Sequence, residues 1–131
     1  MKTSHKLLIS LACVVALAGC ARTAPILTPQ TTFMTQNSLP LTSVKKAILE
    51  AGREHKWVMT VVSPGLIDGF LKNRKYDVQI RINYTAKNYV INYVNSHKLR
   101  ESDGKIHRNY NRWVDDLDKD IQFNLALLDN Q

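Results

Sequence analysis

The stretch YDVQIRINY, residues 76–84, alternates apolar and polar side chains at every position. Its even-numbered residues are apolar or aromatic, and its odd-numbered residues are polar. In a β-strand successive side chains point to opposite faces, so this pattern predicts a strand with one buried and one solvated face. A half-buried strand of this kind is typical of an antiparallel sheet.

Three further strands surround this one. Residues 57–62 (WVMTVV) are rich in β-formers and end at the turn Ser63-Pro64-Gly65. Residues 66–71 form a second strand in which Gly69 weakens the strand or marks a bulge, and residues 89–94 form the last one. The connections at 73–75 and 85–88 are short, which predicts a four-stranded antiparallel meander.

One helix is expected before the meander in the chain and another after it. The first begins at Thr42 or Ser43, either of which can cap it, and places apolar residues at helical spacing. After a polar loop at 95–104, the second and longer helix carries a continuous apolar stripe. That stripe comprises Ile106, Tyr110, Trp113, Leu117, Ile121, Leu125 and Leu128. We therefore predict a single α+β domain over residues 41–131, with both helices on one face of the sheet.

The amino-terminal segment MKTSHKLLISLACVVALAGC has the layout of a secretory signal. Lys2 and Lys6 precede an apolar run that is too short to span a bilayer stably. Leu17-Ala18-Gly19-Cys20 resembles the lipobox of bacterial lipoproteins. The resemblance implies cleavage of residues 1–19 and acylation of Cys20, which would tether the protein to a membrane.

Two alternatives to this anchor remain at the level of sequence. Cys20 can be incidental in an ordinary secreted protein, and Cys13 is a competing acceptor with a poorer box before it. The residue after Cys20 is Ala21 rather than Asp. By resemblance to the sorting of Gram-negative lipoproteins, this favours the outer membrane, with the domain facing the periplasm.

Residues 20–40 separate the anchor from the domain. After Cys20 they are rich in Thr, Pro, Gln and Ala and lack periodicity, which predicts a flexible tether. A coil of this length spans roughly 25 Å. The domain would then lie close to the membrane and reorient freely.

The formal charge of the chain is +7, and it falls to +5 when Lys2 and Lys6 leave with the signal. The positive excess lies between Lys45 and Arg112, whereas the last residues are acidic. An exported lipoprotein rarely meets nucleic acid, so we expect none as a partner. Anionic lipid head groups, lipopolysaccharide phosphates or acidic envelope proteins are the alternatives, next to a solvated face with no partner.

The sequence offers no catalytic constellation. No thiol remains once Cys13 is cleaved and Cys20 is acylated, and no serine lies in a nucleophile motif. His55, His97 and His107 lie in no recognisable setting, so surface or capping roles are expected for them. The aspartates of the last helix do not follow a calcium loop. We predict no metal, no cofactor and no enzymatic activity.

Two groups of residues remain as candidate binding surfaces. The strands carry Tyr76, Tyr84, Tyr89 and Tyr93, which with Arg81 and Lys87 nearby can form a lipid- or carbohydrate-binding face. The favoured alternative is that these tyrosines fill the interface between sheet and helices.

The second group is GKIHRNYNRWV, residues 104–114. Arg108 and Arg112 can bind an acidic group, whereas His107 and Asn111 can satisfy backbone groups of the preceding loop. The candidate surface is therefore His107, Arg108, Asn111 and Arg112, together with Arg81.

Four features of the chain form a recognisable pattern. In chain order they are Trp57-Val58, Ser63-Pro64-Gly65, Ile80 to Tyr84, and the Gly-Lys-Ile-His…Tyr-Asn-x-Trp pattern of 104–113. Together these features resemble a group of small, functionally uncharacterised lipoproteins of proteobacteria. The similarity covers roughly residues 42 to 121. It implies an exported α+β domain and carries no activity to transfer.

The sequence thus predicts a membrane-anchored, non-catalytic lipoprotein that acts as a periplasmic accessory or interaction module. The alternative is a binding module for an anionic lipid or glycan at the cell envelope.

Overall fold

A computed structural model of the chain describes residues 22–33 and 39–130. The signal segment and Cys20, on which the anchor prediction rests, lie outside these residues. The elements are β1 Thr23–Pro25, β2 Gln30–Thr32, α1 Leu41–Glu54, β3 Val58–Ser63, β4 Leu66–Asn73, β5 Tyr76–Tyr84, β6 Asn88–His97, β7 Lys105–His107 and α2 Arg108–Asp129. The predicted α+β class is confirmed.

The larger sheet has the strand order β2-β6-β5-β4-β3, and all its pairs are antiparallel. Strands β3 to β6 form the predicted meander, because each is joined to the next by a short turn. The sheet has five strands rather than the four predicted. The fifth, β2, pairs with β6 through Thr31 opposite Tyr89.

Both β1 and β2 lie in the segment predicted to be a flexible tether. β1 pairs with β7, with Thr23 opposite His107, and forms a separate two-stranded sheet. Asn111 holds the chain after β1, because its amide group accepts from the backbone N–H of Leu27 and donates to the carbonyl of Pro25, both at 2.9 Å. A sequence without hydrophobic periodicity is ordered here through its backbone groups, which periodicity does not reveal.

The core lies between one face of the larger sheet and the two helices. The buried face of β5 consists of Val78, Ile80, Ile82 and Tyr84, as the alternation in residues 76–84 predicts. The buried residues that α1 and α2 contribute are Val44, Ala47, Ile48, Ala51, Gly52, Tyr110, Val114, Leu117, Ile121 and Leu125. The two helices also contact each other through the amide of Asn124, which donates to the carbonyl of Ala47 at 3.1 Å.

The helices begin at other residues than predicted. Pro40 is the N-cap of α1 and makes no side-chain capping bond, so neither Thr42 nor Ser43 caps this helix. α2 begins at Arg108, because residues 105–107 are drawn into a pairing with β1. Ile106 is therefore a buried strand residue rather than the first member of the helical stripe.

Candidate functional site

The candidate surface residues from the sequence do not form one surface. Arg81 lies on the solvated face of the sheet, where its guanidinium donates to both carboxylate oxygens of Asp68 at 2.8 and 3.1 Å. This hydrogen-bonded pair holds the pKa of Asp68 below its usual value of 3.8. Arg81 is thus engaged on the side of the sheet opposite to α2.

The remaining four residues belong to the start of α2 and have different roles. Arg108 is exposed in the first turn, and Arg112 donates to the side chain of Asn109 at 2.8 Å. Asn111 forms hydrogen bonds with the backbone of Pro25 and Leu27, at the end of β1 and just after it, rather than with the loop before α2. His107 is the N-cap of α2, since its Nδ1 accepts from the backbone N–H of Asn109 at 3.1 Å.

The other two histidines in the described part of the chain, His55 and His97, are paired with carboxylates. His55 contacts Asp120 across the helix pair, and His97 contacts Asp77 on the solvated face of the sheet, both at 2.6 Å. Among the residues that the structure describes, no group of three His, Cys, Asp or Glu side chains could hold a metal ion.

The four strand tyrosines lie on the helix-facing side of the sheet. Tyr89 is buried and donates to the carboxylate of Asp118 on α2 at 2.6 Å. The ring of Tyr93 packs edge-on against that of Tyr110, with 5.5 Å between centroids. These contacts favour the packing interpretation over an exposed aromatic binding face.

A basic cleft opens where β1, the β4–β5 turn and the β6–β7 loop meet. It has a volume of about 340 Å³ and is lined by Arg22, Lys75, Tyr76, Lys98, Arg100 and His107. Four of these residues, Arg22, Lys75, Lys98 and Arg100, are basic, and none of the described residues that line the cleft is acidic. We call this set the basic cleft.

The β6–β7 loop presents two of the cations through an unusual backbone. Lys98 has φ 67° and Arg100 has φ 57°, both in the left-handed region that costs a non-glycine residue about 1–2 kcal/mol. Between them Leu99 is fully buried, and its carbonyl accepts from the N–H of His107 at 2.8 Å. Burial of Leu99 thus anchors the loop and leaves its two basic neighbours exposed in the cleft.

Tyr76 forms the aromatic part of the cleft. Its ring lies 6.1 Å from the ring of His107 and 6.4 Å from that of Trp113, between centroids. The ammonium group of Lys75 lies 5.3 Å from the same ring, within the range of a cation–π contact. The basic cleft therefore combines its cations with an aromatic side chain that packs against two other rings.

Of the residues of the basic cleft, sequence reasoning named His107 and Tyr76 as candidates and none of the four cations. Lys98 and Arg100 fall in a segment predicted to be a plain polar loop, and Arg22 falls in the predicted tether. The sequence does contain one signal of the local fold beside the cleft. Asp103-Gly104 is a typical hairpin turn, and both residues have positive φ. It predicts that residues 105–107 fold back as a strand.

No protein-family model matches this chain, and no match was found among curated proteins. The site must therefore be interpreted from its own chemistry. In the described ranges, 22–33 and 39–130, no helix is long and apolar enough to cross a membrane.

The chemistry of the basic cleft suits an anion. Two arginines supply planar donor pairs for phosphate or carboxylate, and two lysines add point charges. All four cations are exposed, so they can bind an anion at the surface while they remain in contact with water. Such a site favours a multiply charged group at a surface over a small molecule enclosed in a pocket.

Proposed function

We propose that this protein is a lipid-anchored, non-catalytic accessory module of the cell envelope, and that its basic cleft binds the phosphate groups of anionic lipids. The observation that carries the proposal is the position of Arg22. It lines the basic cleft and follows Cys20, the proposed site of acylation, by only two residues.

This spacing would set the cleft at the membrane surface. Two residues of extended chain reach at most about 7 Å. The pairing of β1 with β7 fixes the backbone that follows Arg22, so acyl chains on Cys20 would bring Arg22 and its neighbours to the level of the lipid head groups. Each basic residue near an anionic membrane surface contributes about 1 kcal/mol to binding.

The three histidines that the structure describes have structural partners, in keeping with a non-catalytic role. His55 and His97 each bond to a carboxylate, and His107 caps α2. Ala21 after Cys20 favours the outer membrane, with the domain on its periplasmic side. The proposal therefore combines an acyl anchor with a second, electrostatic contact to the same membrane.

The test uses the mature chain, residues 20–131, with Cys20→Ser, which lacks both the signal and the acyl chains. It is sedimented with vesicles of phosphatidylcholine that contain or lack phosphatidylglycerol. We expect binding only to the anionic vesicles and weaker binding as salt is raised. The double variant Lys75→Glu/Lys98→Glu should reduce this binding at least tenfold.

A matched control separates the cleft from general charge. Lys46→Glu/Lys87→Glu changes the net charge by the same amount at exposed positions outside the cleft. Lys87 lies in the β5–β6 turn, at the opposite end of the sheet. If both double variants weaken binding equally, or if the parent ignores phosphatidylglycerol, the cleft is not the binding site.

A further inference from the structure

Among the described residues, the outer edge of β3 has no strand partner and little of the usual protection of a sheet edge. β3 ends the strand order, so among the described residues it has no neighbour on the side away from β4. Residues 58–63 contain no charge and no proline. The opposite edge strand, β2, is only three residues long. Short length, charged residues, proline and bulges are the common means of blocking strand addition, and of these β3 has only the register shift between Val61 and Ser63 at its end.

All three valines of β3 are exposed. Val58, Val61 and Val62 expose 64%, 46% and 50% of their surface. An edge strand also leaves every second N–H and C=O group without a strand partner. β3 therefore offers both backbone hydrogen bonds and apolar side-chain contacts to an incoming strand.

A groove runs beside this edge, between β3 and α1. It consists of two cavities of about 190 and 230 Å³ that share Val61. At one end it is lined by Leu41, Thr42, Lys45, Val61, Ser63, Pro64 and Tyr84, and at the other by Leu49, Arg53, Trp57, Met59 and Val61. We call it the edge groove.

The edge groove is positively charged, which favours an occupant with acidic side chains. Each end contains one cation, Lys45 or Arg53, and no acidic side chain among the described residues lines either end. The two cations are eight residues apart on α1, which corresponds to about 12 Å along the helix. In an added strand, residues i and i+4 lie on the same face and about 13 Å apart.

We propose that β3 binds an extended acidic peptide segment of a partner protein as a sixth strand of the sheet. The segment carries carboxylates at positions i and i+4, which meet Lys45 and Arg53, and an apolar residue at i+2, which packs beside Val61. This surface is independent of the basic cleft, since the two share no residue.

A second copy of this chain fits the groove less well. Antiparallel pairing of two β3 strands about a two-fold axis would bring the α1 helices side by side. Lys45 of one copy would then face Arg53 of the other. Like charges opposed in this way are unfavourable, whereas carboxylates would neutralise both cations.

The first experiment measures the binding of a capped seven-residue peptide to the full acylated chain in micelles of an uncharged detergent. The peptide has glutamate at its second and sixth positions, valine at the fourth and threonine elsewhere. A control peptide has lysine in place of both glutamates. We expect the acidic peptide alone to bind, and Lys45→Glu/Arg53→Glu to weaken its binding about tenfold. Lys46→Glu/Lys87→Glu should leave its affinity unchanged.

Backbone pairing has its own readouts, which do not depend on protein variants. Methylation of the peptide nitrogens at odd or at even positions should abolish binding in one case only, because an edge pairs with alternate residues. Amide hydrogen exchange should slow at alternate residues of β3 and stay unchanged in β2.

Three results would overturn the proposal. They are equal affinity for the acidic and lysine peptides, equal effects of the two methylation patterns, and protection of β3 amides by self-association without peptide.

Discussion

At the scale of single residues, two buried tyrosines differ in one hydrogen bond. Tyr89 donates to the carboxylate of Asp118, whereas the buried hydroxyl of Tyr110 has no hydrogen-bond partner among the described residues. Burial raises the pKa of both hydroxyls above the usual value of 10. A buried donor without a partner costs free energy, so the same hydroxyl group should have opposite effects at the two positions.

We therefore expect Tyr89→Phe to destabilise the protein by about 1–2 kcal/mol and Tyr110→Phe to be neutral or stabilising by up to about 1 kcal/mol. Urea unfolding of the two variants and the parent measures this difference. Because folding raises the pKa of Tyr89, its contribution is complete below pH 10 and is lost as the pH rises further. The Tyr89→Phe deficit should shrink over that alkaline range. Equal losses in both variants would contradict the assignment.

Prediction from the sequence succeeded for residues whose burial follows a periodic pattern. It failed for residues whose position depends on an unusual backbone conformation. The alternation in residues 76–84 assigned every inward residue of β5 correctly. Nothing in their residue types indicates that Lys98 and Arg100 take left-handed conformations. Tertiary contacts impose that backbone, through the buried side chain of Leu99, and it decides where the two cations of the basic cleft lie.

At the scale of elements, α1 and β3 approach each other at a glycine. A Cβ atom added to Gly52 would lie 2.5 Å from Cγ of Met59 on β3, closer than packed atoms allow. Nothing in the residue pattern predicts this approach, because glycine inside a helix normally weakens the helix. The same contact lies next to the edge groove, since Met59 lines it.

Gly52→Ala should destabilise the protein by about 1–2 kcal/mol, although alanine favours the helix by about 1 kcal/mol. The reason is the clash with Met59, so the penalty should disappear when Met59→Ala is also present. Denaturant unfolding of both single variants and the double variant gives the coupling energy. Strict additivity of the two substitutions would show that the clash with Met59 does not cause the loss of stability in Gly52→Ala.

Gly69 shows a different limit of element-level reasoning. Its presence in a predicted strand suggested a weak point or a bulge, yet it pairs regularly with Met59 on one side and Ile80 on the other. The irregularities lie instead between Val61 and Ser63 and between Gln79 and Ile80. Gly69 is small because the Ile80 side chain occupies the space of a Cβ, at 2.9 Å.

At the scale of the whole molecule, the ordering of residues 22–33 changes the relation between anchor and domain. A free tether of about twenty residues would let the domain turn in any direction. With β1 and β2 paired to β7 and β6, only the residues before Arg22 would separate an acylated Cys20 from the folded part. The sequence predicted the meander and both helices, but backbone pairing of a polar, proline-rich segment leaves no periodic signal.

This arrangement predicts two contributions to membrane attachment that can be separated in cells. Cys20→Ser should move most of the protein to the soluble fraction, because each acyl methylene lost removes about 0.8 kcal/mol of membrane affinity. Any residual association should be removed by a high-salt wash and by Lys75→Glu/Lys98→Glu, since it depends on the basic cleft. Cys13→Ser is the matched control and should leave the membrane fraction unchanged. A Cys20→Ser protein that resists the salt wash would show that the attachment does not depend on acylation of Cys20.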